Sequence, residues 1–271
     1  MMGFYVYCIR AKNKKKISGY IANGVEFGGN VSTIFFREIE VIVSNIDFLQ
    51  FNEKKIKEKL QEDVKWAEEN VRRHHDIVAE ASATGAVIPM KFGTIFKTKK
   101  SLESMLKNHY ERFLKLLAEL EGKQEWGVKI YLEYEKFIEF LKKKNSGVKE
   151  KEERKSTLSA GMQWYADKKN EESVAAQFDE EIEKQIQSFV EKLEDFSEQI
   201  IFCDLLPKEA AEGINKDNIF NAACLINNDK LACFKKMLKE IQNERDQIGF
   251  TFIASGPWPP YNFVQQNDAE T

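Results

Sequence analysis

The chain has 271 residues, longer than a usual single domain, and 42% of them are apolar, with 20 Phe, 8 Tyr and 4 Trp. That supply suffices for two cores, because halves of ~130 residues bury roughly two-thirds of their unfolded surface. The 41 basic and 44 acidic residues leave a net charge of −3, which gives no electrostatic reason to expect DNA or RNA, whose binding surfaces need concentrated positive charge.

Residues 4–9 read FYVYCI, aromatic and β-branched on both alternating faces, as a central strand covered on both sides would be. Residues 12–16 form a basic turn. Two strands follow at 31–36 and 39–44, around the polar Arg37-Glu38 step. Asn52 is placed to cap one long helix running to about Thr84, with Ile56, Leu60, Val64, Ala67, Val71 and Val78 as its inward stripe. Gly85 is placed to end it in the left-handed conformation. A short strand at 86–90 leads to a second helix over 101–122, whose apolar side carries Leu102, Met105, Leu106, Phe113, Leu116, Leu117 and Leu120. The strand at 127–134 alternates, with Val128, Ile130 and Leu132 on one face and a wet face opposite.

Residues 142–157, KKKNSGVKEKEERKST, have almost nothing to bury and read as a charged linker. The expected division is therefore a domain at 1–141, the linker at 142–157, and a domain at 158–271. The second half opens on a helix with the stripe Phe178, Ile182, Ile186, Phe189, Leu193 and Phe196. Strands are expected at 199–206 and 219–226. Asn228 or Asp229 caps a helix carrying Leu231, Phe234, Leu238 and Ile241, and a strand at 248–254 follows. Each half thus ends strand–helix–strand, a crossover that makes its flanking strands parallel. The fold class is α+β: two domains, each a ferredoxin-like variant with helices packed on a mixed β-sheet.

The chemistry-bearing residues are sparse. His74 and His75 are helical neighbours whose rings diverge, so both are read as fringing the buried stripe, and His109 as lying within it. Zinc needs three or four convergent ligands, and no such cluster or HExxH is visible. None of Cys8, Cys203, Cys224 and Cys233 forms a CxxC pair or a nucleophile signature. The glycine-rich residues 24–29 lack the Lys-Ser/Thr of a phosphate loop and are read as a turn between strands. No catalytic residue, metal site or cofactor site is assigned, and the chain is read as no enzyme. One alternative function, an RNA-binding module on a ferredoxin-like sheet, rests on Gly249, Phe250 and Phe252, which partly follow an RNA-stacking strand pattern. A buried strand explains the same rings. No signal-type segment opens the chain and no apolar run nears the ~20 residues of a membrane span, so no membrane partner and a cytoplasmic setting are expected.

Two stretches resemble a known family. Residues 66–96, WAEENVRRHHDIVAEASATGAVIPMKFGTIF, are similar to the central signature of the gas-vesicle proteins GvpF and GvpL. So, in combination, are residues 125–131, EWGVKIY, and the C-terminal GPWPPYNF at 256–263. The likeness runs in order along most of the chain and weakens across 142–172. It implies two α+β domains and a minor vesicle component or assembly factor, located with the gas vesicle. It also implies association with the main shell protein GvpA and other gas-vesicle proteins, limiting aggregation of the former. Partner-contact candidates are Phe92, Ile95, Phe96, Trp258 and Tyr261, the last two carried on a path stiffened by Pro257, Pro259 and Pro260. Sealing of a sheet by these aromatics is the competing reading. The oligomeric state is left open.

Overall fold

The computed structural model describes residues 2–12, 24–25, 28–149, 160–207 and 216–265. Strand β1 (Met2–Ala11) is the centre of the first sheet, and Tyr5 through Ile9 are fully buried. It pairs antiparallel with β3 (Ile39–Asp47), and β3 pairs antiparallel with β2 (Gly28–Phe36). On its other side lie β4 (Val87–Pro89) and the two-residue β5 (Ile95–Phe96), both antiparallel to it. The order is β2-β3-β1-β4. The sheet expected to be mixed is thus antiparallel in each of these pairings. Pro89 sits on the edge strand, where its missing N–H interrupts no inner ladder.

The ladder slips between Val6 and Cys8, so Tyr7 is a bulged residue. The bulge breaks the strict alternation of faces, and Tyr5, Tyr7 and Cys8 all enter one core cluster with Ile42, Ile77 and Val87.

The long helix expected after Asn52 is two helices, α1 (Glu53–Glu62) and α2 (Val64–Ser82). Asn52 caps the first, its side chain accepting from the Lys55 N–H. Asp63 closes the first through its N–H to the Lys59 carbonyl and caps the second, accepting from the Trp66 N–H at 3.0 Å. That break resets the helical phase. Ile56 stays buried, but Val64 is 76% and Val71 43% exposed, and the inward face of α2 becomes Trp66, Asn70, His74, Ile77, Val78 and Ala81. Gly85 has φ 152°, positive but far from the left-handed helical value. The second expected helix also divides, into α3 (Lys99–Asn108) and α4 (Tyr110–Leu120) at His109. His109, expected in the core stripe, is exposed at that joint.

The second sheet has the order β7-β8-β6-β9, from β6 (Lys123–Leu132), β7 (Ser197–Phe202), β8 (Asp217–Asn227) and β9 (Phe250–Trp258). Helices α5 (Tyr134–Lys149) and α6 (Ala160–Glu194) link β6 to β7, and α7 (Leu231–Arg245) links β8 to β9. Numbered within its own sheet, each unit has the strand order second-third-first-fourth. The stripe of α6 packs as expected: Phe189 and Leu193 are buried, with Phe178, Ile182 and Ile186 against the same core, and Phe196 joins them from the turn after the helix. Val128, Ile130 and Leu132 join that core, but Tyr131 on the opposite face is buried too, so that face is not uniformly wet.

The two compact units are residues 1–125 with 257–271, and 126–256. This division differs from the expected 1–141 and 158–271. The reason lies in β6, which was assigned to the first half as the end of a crossover from β4. It belongs instead to the second sheet, because Val128, Ile130 and Leu132 pack with Phe220, Phe234 and Phe250. Residues 142–149 of the expected linker continue α5, and residues 150–157 lie outside those described. A final short helix, α8 (Tyr261–Gln265), completes the first unit.

Arg10 and Glu40, facing each other across β1 and β3, form an ion pair with both side chains almost wholly buried, and Arg10 also donates to Thr84 Oγ1 at 2.8 Å. Removing one partner strands a charge in low dielectric. Arg10→Met alone is expected to cost about 3–5 kcal/mol, and Arg10→Met with Glu40→Leu to recover most of it. Urea unfolding of the single and double variants measures both.

Candidate functional site

Residues 66–96, Glu125 and 257–263 of the sequence signature lie in the first unit, around the turn that follows β4. His74 projects inward from α2 and is almost fully buried. Its Nε2 lies 3.0 Å from the Met90 carbonyl oxygen and its Nδ1 2.8 Å from the Tyr5 hydroxyl. A carbonyl can only accept, so Nε2 carries the proton and Nδ1 accepts from the Tyr5 O–H. The Tyr5 oxygen then accepts the Gly93 N–H at 3.2 Å. The result is a directed chain from Gly93 through Tyr5 and His74 to Met90, which fastens both ends of the turn.

The turn is held elsewhere too. The Met90 N–H donates to the Tyr7 carbonyl at 2.9 Å, and Lys91 O accepts from Thr94 Oγ1 at 2.7 Å. Gly93 has φ +87°, a left-handed conformation that a Cβ would strain. Burial explains the electrostatics. Desolvation lowers the His74 pKa from 6.5 to about 4, and His75 beside it adds to the shift. Desolvation also pushes the Cys8 thiol up to about 12 and raises Tyr5. These groups are neutral at pH 7. They suit a structural node better than proton transfer, whose groups titrate near the working pH.

The C-terminal signature closes the same neighbourhood. The Tyr261 ring stacks on His75 with centroids 6.3 Å apart, and Trp258 tilts against His75 at 5.4 Å. Glu125 reaches the start of α8, accepting the Asn262 N–H at 3.1 Å and its Nδ2–H at 2.6 Å. Burial raises the Glu125 carboxyl to about 7, opposed by those two bonds.

Of the contact candidates, Phe92, Ile95 and Tyr261 pack against the core; Phe92 meets the Tyr5 ring at 6.0 Å and the His74 ring at 5.8 Å. Ile95 and Phe96 line a cleft of about 510 Å³ together with Phe48, Lys54 and Lys97. Trp258 is 41% exposed. The structure therefore brings Phe92 and Tyr261 together around the two histidines, while Phe96 lies in the cleft and Ile95 bridges the cleft and the core. Sequence reasoning missed the role of His74, because its stripe was drawn through Val71 on an unbroken helix. It also missed the pairing of Glu125 with Asn262, although both lie in the quoted motifs.

Gly249 and its neighbours answer to packing. Gly249 has φ +92° at the turn before β9, Phe250 is fully buried, and Phe252 packs on the same core. Those rings are not an open platform for stacking bases. Among the described residues no group of three or more His, Cys, Asp or Glu could hold a metal ion, and no helix is long and apolar enough to cross a membrane.

Fold and site together define a two-sheet α+β protein whose signature residues organise a buried node. The model of the family described as gas vesicle synthesis protein GvpL/GvpF matches residues 3–265, and the chain belongs to that family. Gas vesicle protein L1 of Halobacterium salinarum is 27% identical over 198 residues, covering 70% of this chain and 68% of that one. Gas vesicle protein F1 of the same organism is 24% identical, covering 89% and 84%. The crystal structure of GvpF from Anabaena sp. PCC7120 superposes with a TM-score of 0.64 at 17% identity, covering 98% and 97%. That of GvpF from Microcystis aeruginosa gives 0.64 at 18%, covering 97% and 99%. The fold is shared, and the role of the chain lies with gas vesicles.

Two pH dependences follow. His74 is neutral in the fold, so its contribution is complete above its unfolded pKa of 6.5 and is lost as pH falls toward 4. Nitrogen NMR of the imidazole should show the Nε2–H tautomer persisting at pH 5. Glu125 works in the opposite sense: its contribution is complete below 4.5 and lost as pH rises through 7. Glu125→Gln should remove that component, seen as a flatter stability–pH curve between those values in chemical denaturation.

Proposed function

We propose that this chain is a non-enzymatic accessory of gas-vesicle assembly that binds the shell protein GvpA and limits its aggregation before incorporation. The observation that carries the reading is the family match over residues 3–265, nearly the whole chain. The chemistry of the site agrees with it. The buried His74 is committed to holding a turn and the buried Glu125 to holding the start of α8, while Trp258 is 41% exposed and Phe96 half-buried.

A small apolar shell protein presents strand edges and greasy faces that self-associate unless covered. The contact surface we assign is the cleft of Ile95 and Phe96, walled by Phe48, with Trp258 as a second anchor. Lys54 and Lys97 on the cleft keep the free protein solvated, and Lys97 lies over the Phe48 ring at 5.8 Å. Phe92 and Tyr261 contribute by positioning: one braces the turn, the other the C-terminal segment.

Co-expression tests this. GvpA should shift from the pellet to the soluble fraction and co-purify with the accessory chain. Phe96→Ser should reduce the co-purified amount by about fivefold or more while leaving the circular dichroism unchanged, as loss of a central aromatic anchor does. GvpA remaining insoluble and unbound with the wild-type chain present would refute the reading.

A further inference from the structure

A second surface feature is not accounted for by that reading. Between the turn after β4 and the α3–α4 pair runs a half-open trough of about 280 Å³. Its floor is apolar, from Ile88, Met105, Phe113, Leu116 and Val264. Lys91 and Arg112 line it as well and bring positive charge, and His109 adds a ring N–H donor. We propose that this trough docks an amphipathic helix of a partner protein, apolar on the inserted face and acidic along its flank.

Three observations point to that occupant. The first is charge: among the described residues no Asp or Glu lines the trough, so a carboxylate on the incoming segment meets no acidic side chain in the lining. Helix α4 strengthens the same sign. His109 is its N-cap residue yet makes no side-chain capping bond, and the helix directs its positive end to that joint. Glu111, in the same first turn, is exposed and does not line the trough.

The second observation separates a helix from a strand. Strand addition needs backbone donors and acceptors along the receiving edge. Here Pro89 has no N–H, the Met90 N–H is given to Tyr7, the Met90 carbonyl receives the His74 proton, and the Lys91 carbonyl receives Thr94. The wall offers side chains in place of a ladder, and side-chain knobs set three and four residues apart are what a helix presents.

The third is rigidity with local give. The wall is fixed by the His74 and Tyr5 bonds, so little ordering is required on binding. The floor includes Met105 and the wall Met90, whose flexible thioethers adapt to varied apolar knobs.

The test uses the full chain and a fluorescein-labelled amphipathic peptide of about 18 residues, five turns of helix, with Leu on one face and Glu on the flanks. Fluorescence anisotropy at low salt should show saturable binding. A peptide with every Glu changed to Lys should bind ~10-fold or more weaker, a difference of about 1.4 kcal/mol. Lys91→Glu with His109→Glu should weaken binding of the Glu peptide comparably; both residues are exposed, so the fold should survive, and Lys91→Glu alone is the second variant. Absence of saturable binding, equal binding of both peptides, or unchanged affinity in the variants would overturn the proposal. Displacement of the peptide by purified GvpA would extend it to that partner. A failure here leaves the co-expression result untouched, since the two experiments read different surfaces.

Discussion

One imidazole, hydrogen-bonded at both nitrogens inside an apolar core, organises the first unit. His74 belongs to α2, Tyr5 to the central strand and Met90 to the turn after β4, so two bonds join three elements far apart in sequence. Burying such a group costs several kcal/mol if a nitrogen is left unpaired, and little if both are satisfied. The arrangement therefore tolerates essentially one tautomer, one rotamer and one position for the turn. Protonation would turn the Nδ1 acceptor into a donor facing the Tyr5 hydroxyl, and the low pKa of His74 comes from its desolvation, with His75 adding to it. The surfaces assigned to partners, the Phe96 cleft and the trough, both adjoin the turn so held.

How much of this was legible in the sequence depends on whether the deciding contact was local. The strands at 31–36 and 39–44, the stripe of α6 and the buried β1 follow from short-range periodicity, and the structure contains them. The cap at Asn52 was visible as well, but the cap at Asp63 was not. Its effect is to shift the helical phase within one residue, which exchanges Val71 for Asn70 and His74 on the inner face. Hydrophobicity favours Val71 inside; tertiary bonding puts His74 there. The break at His109 has the same character, because the Leu-rich pattern continues smoothly through it.

The assignment of β6 shows the other limit. Its alternation was read correctly in kind, yet sheet membership is a long-range choice, decided by which aromatic residues it meets. Phe220, Phe234 and Phe250 lie 88 residues or more beyond its end at Leu132. The candidate site was legible as a set of quoted motifs, and the family likeness located it. What the motifs do was not, since Glu125 and Asn262 or His75 and Trp258 become neighbours only after folding.

Those pairs have a bearing on biosynthesis. The first unit contains residues from both ends of the polypeptide, with the whole second unit encoded between them. During translation its sheet can form early, but the ring that covers His75 and the amide that satisfies Glu125 emerge from the ribosome more than a hundred residues later. In that interval a carboxyl and an aromatic seat stand open to solvent, and the half made first is the last to be sealed. The ordering acts as a built-in delay: the turn-bearing half acquires its finished form only after the intervening sheet has been synthesised.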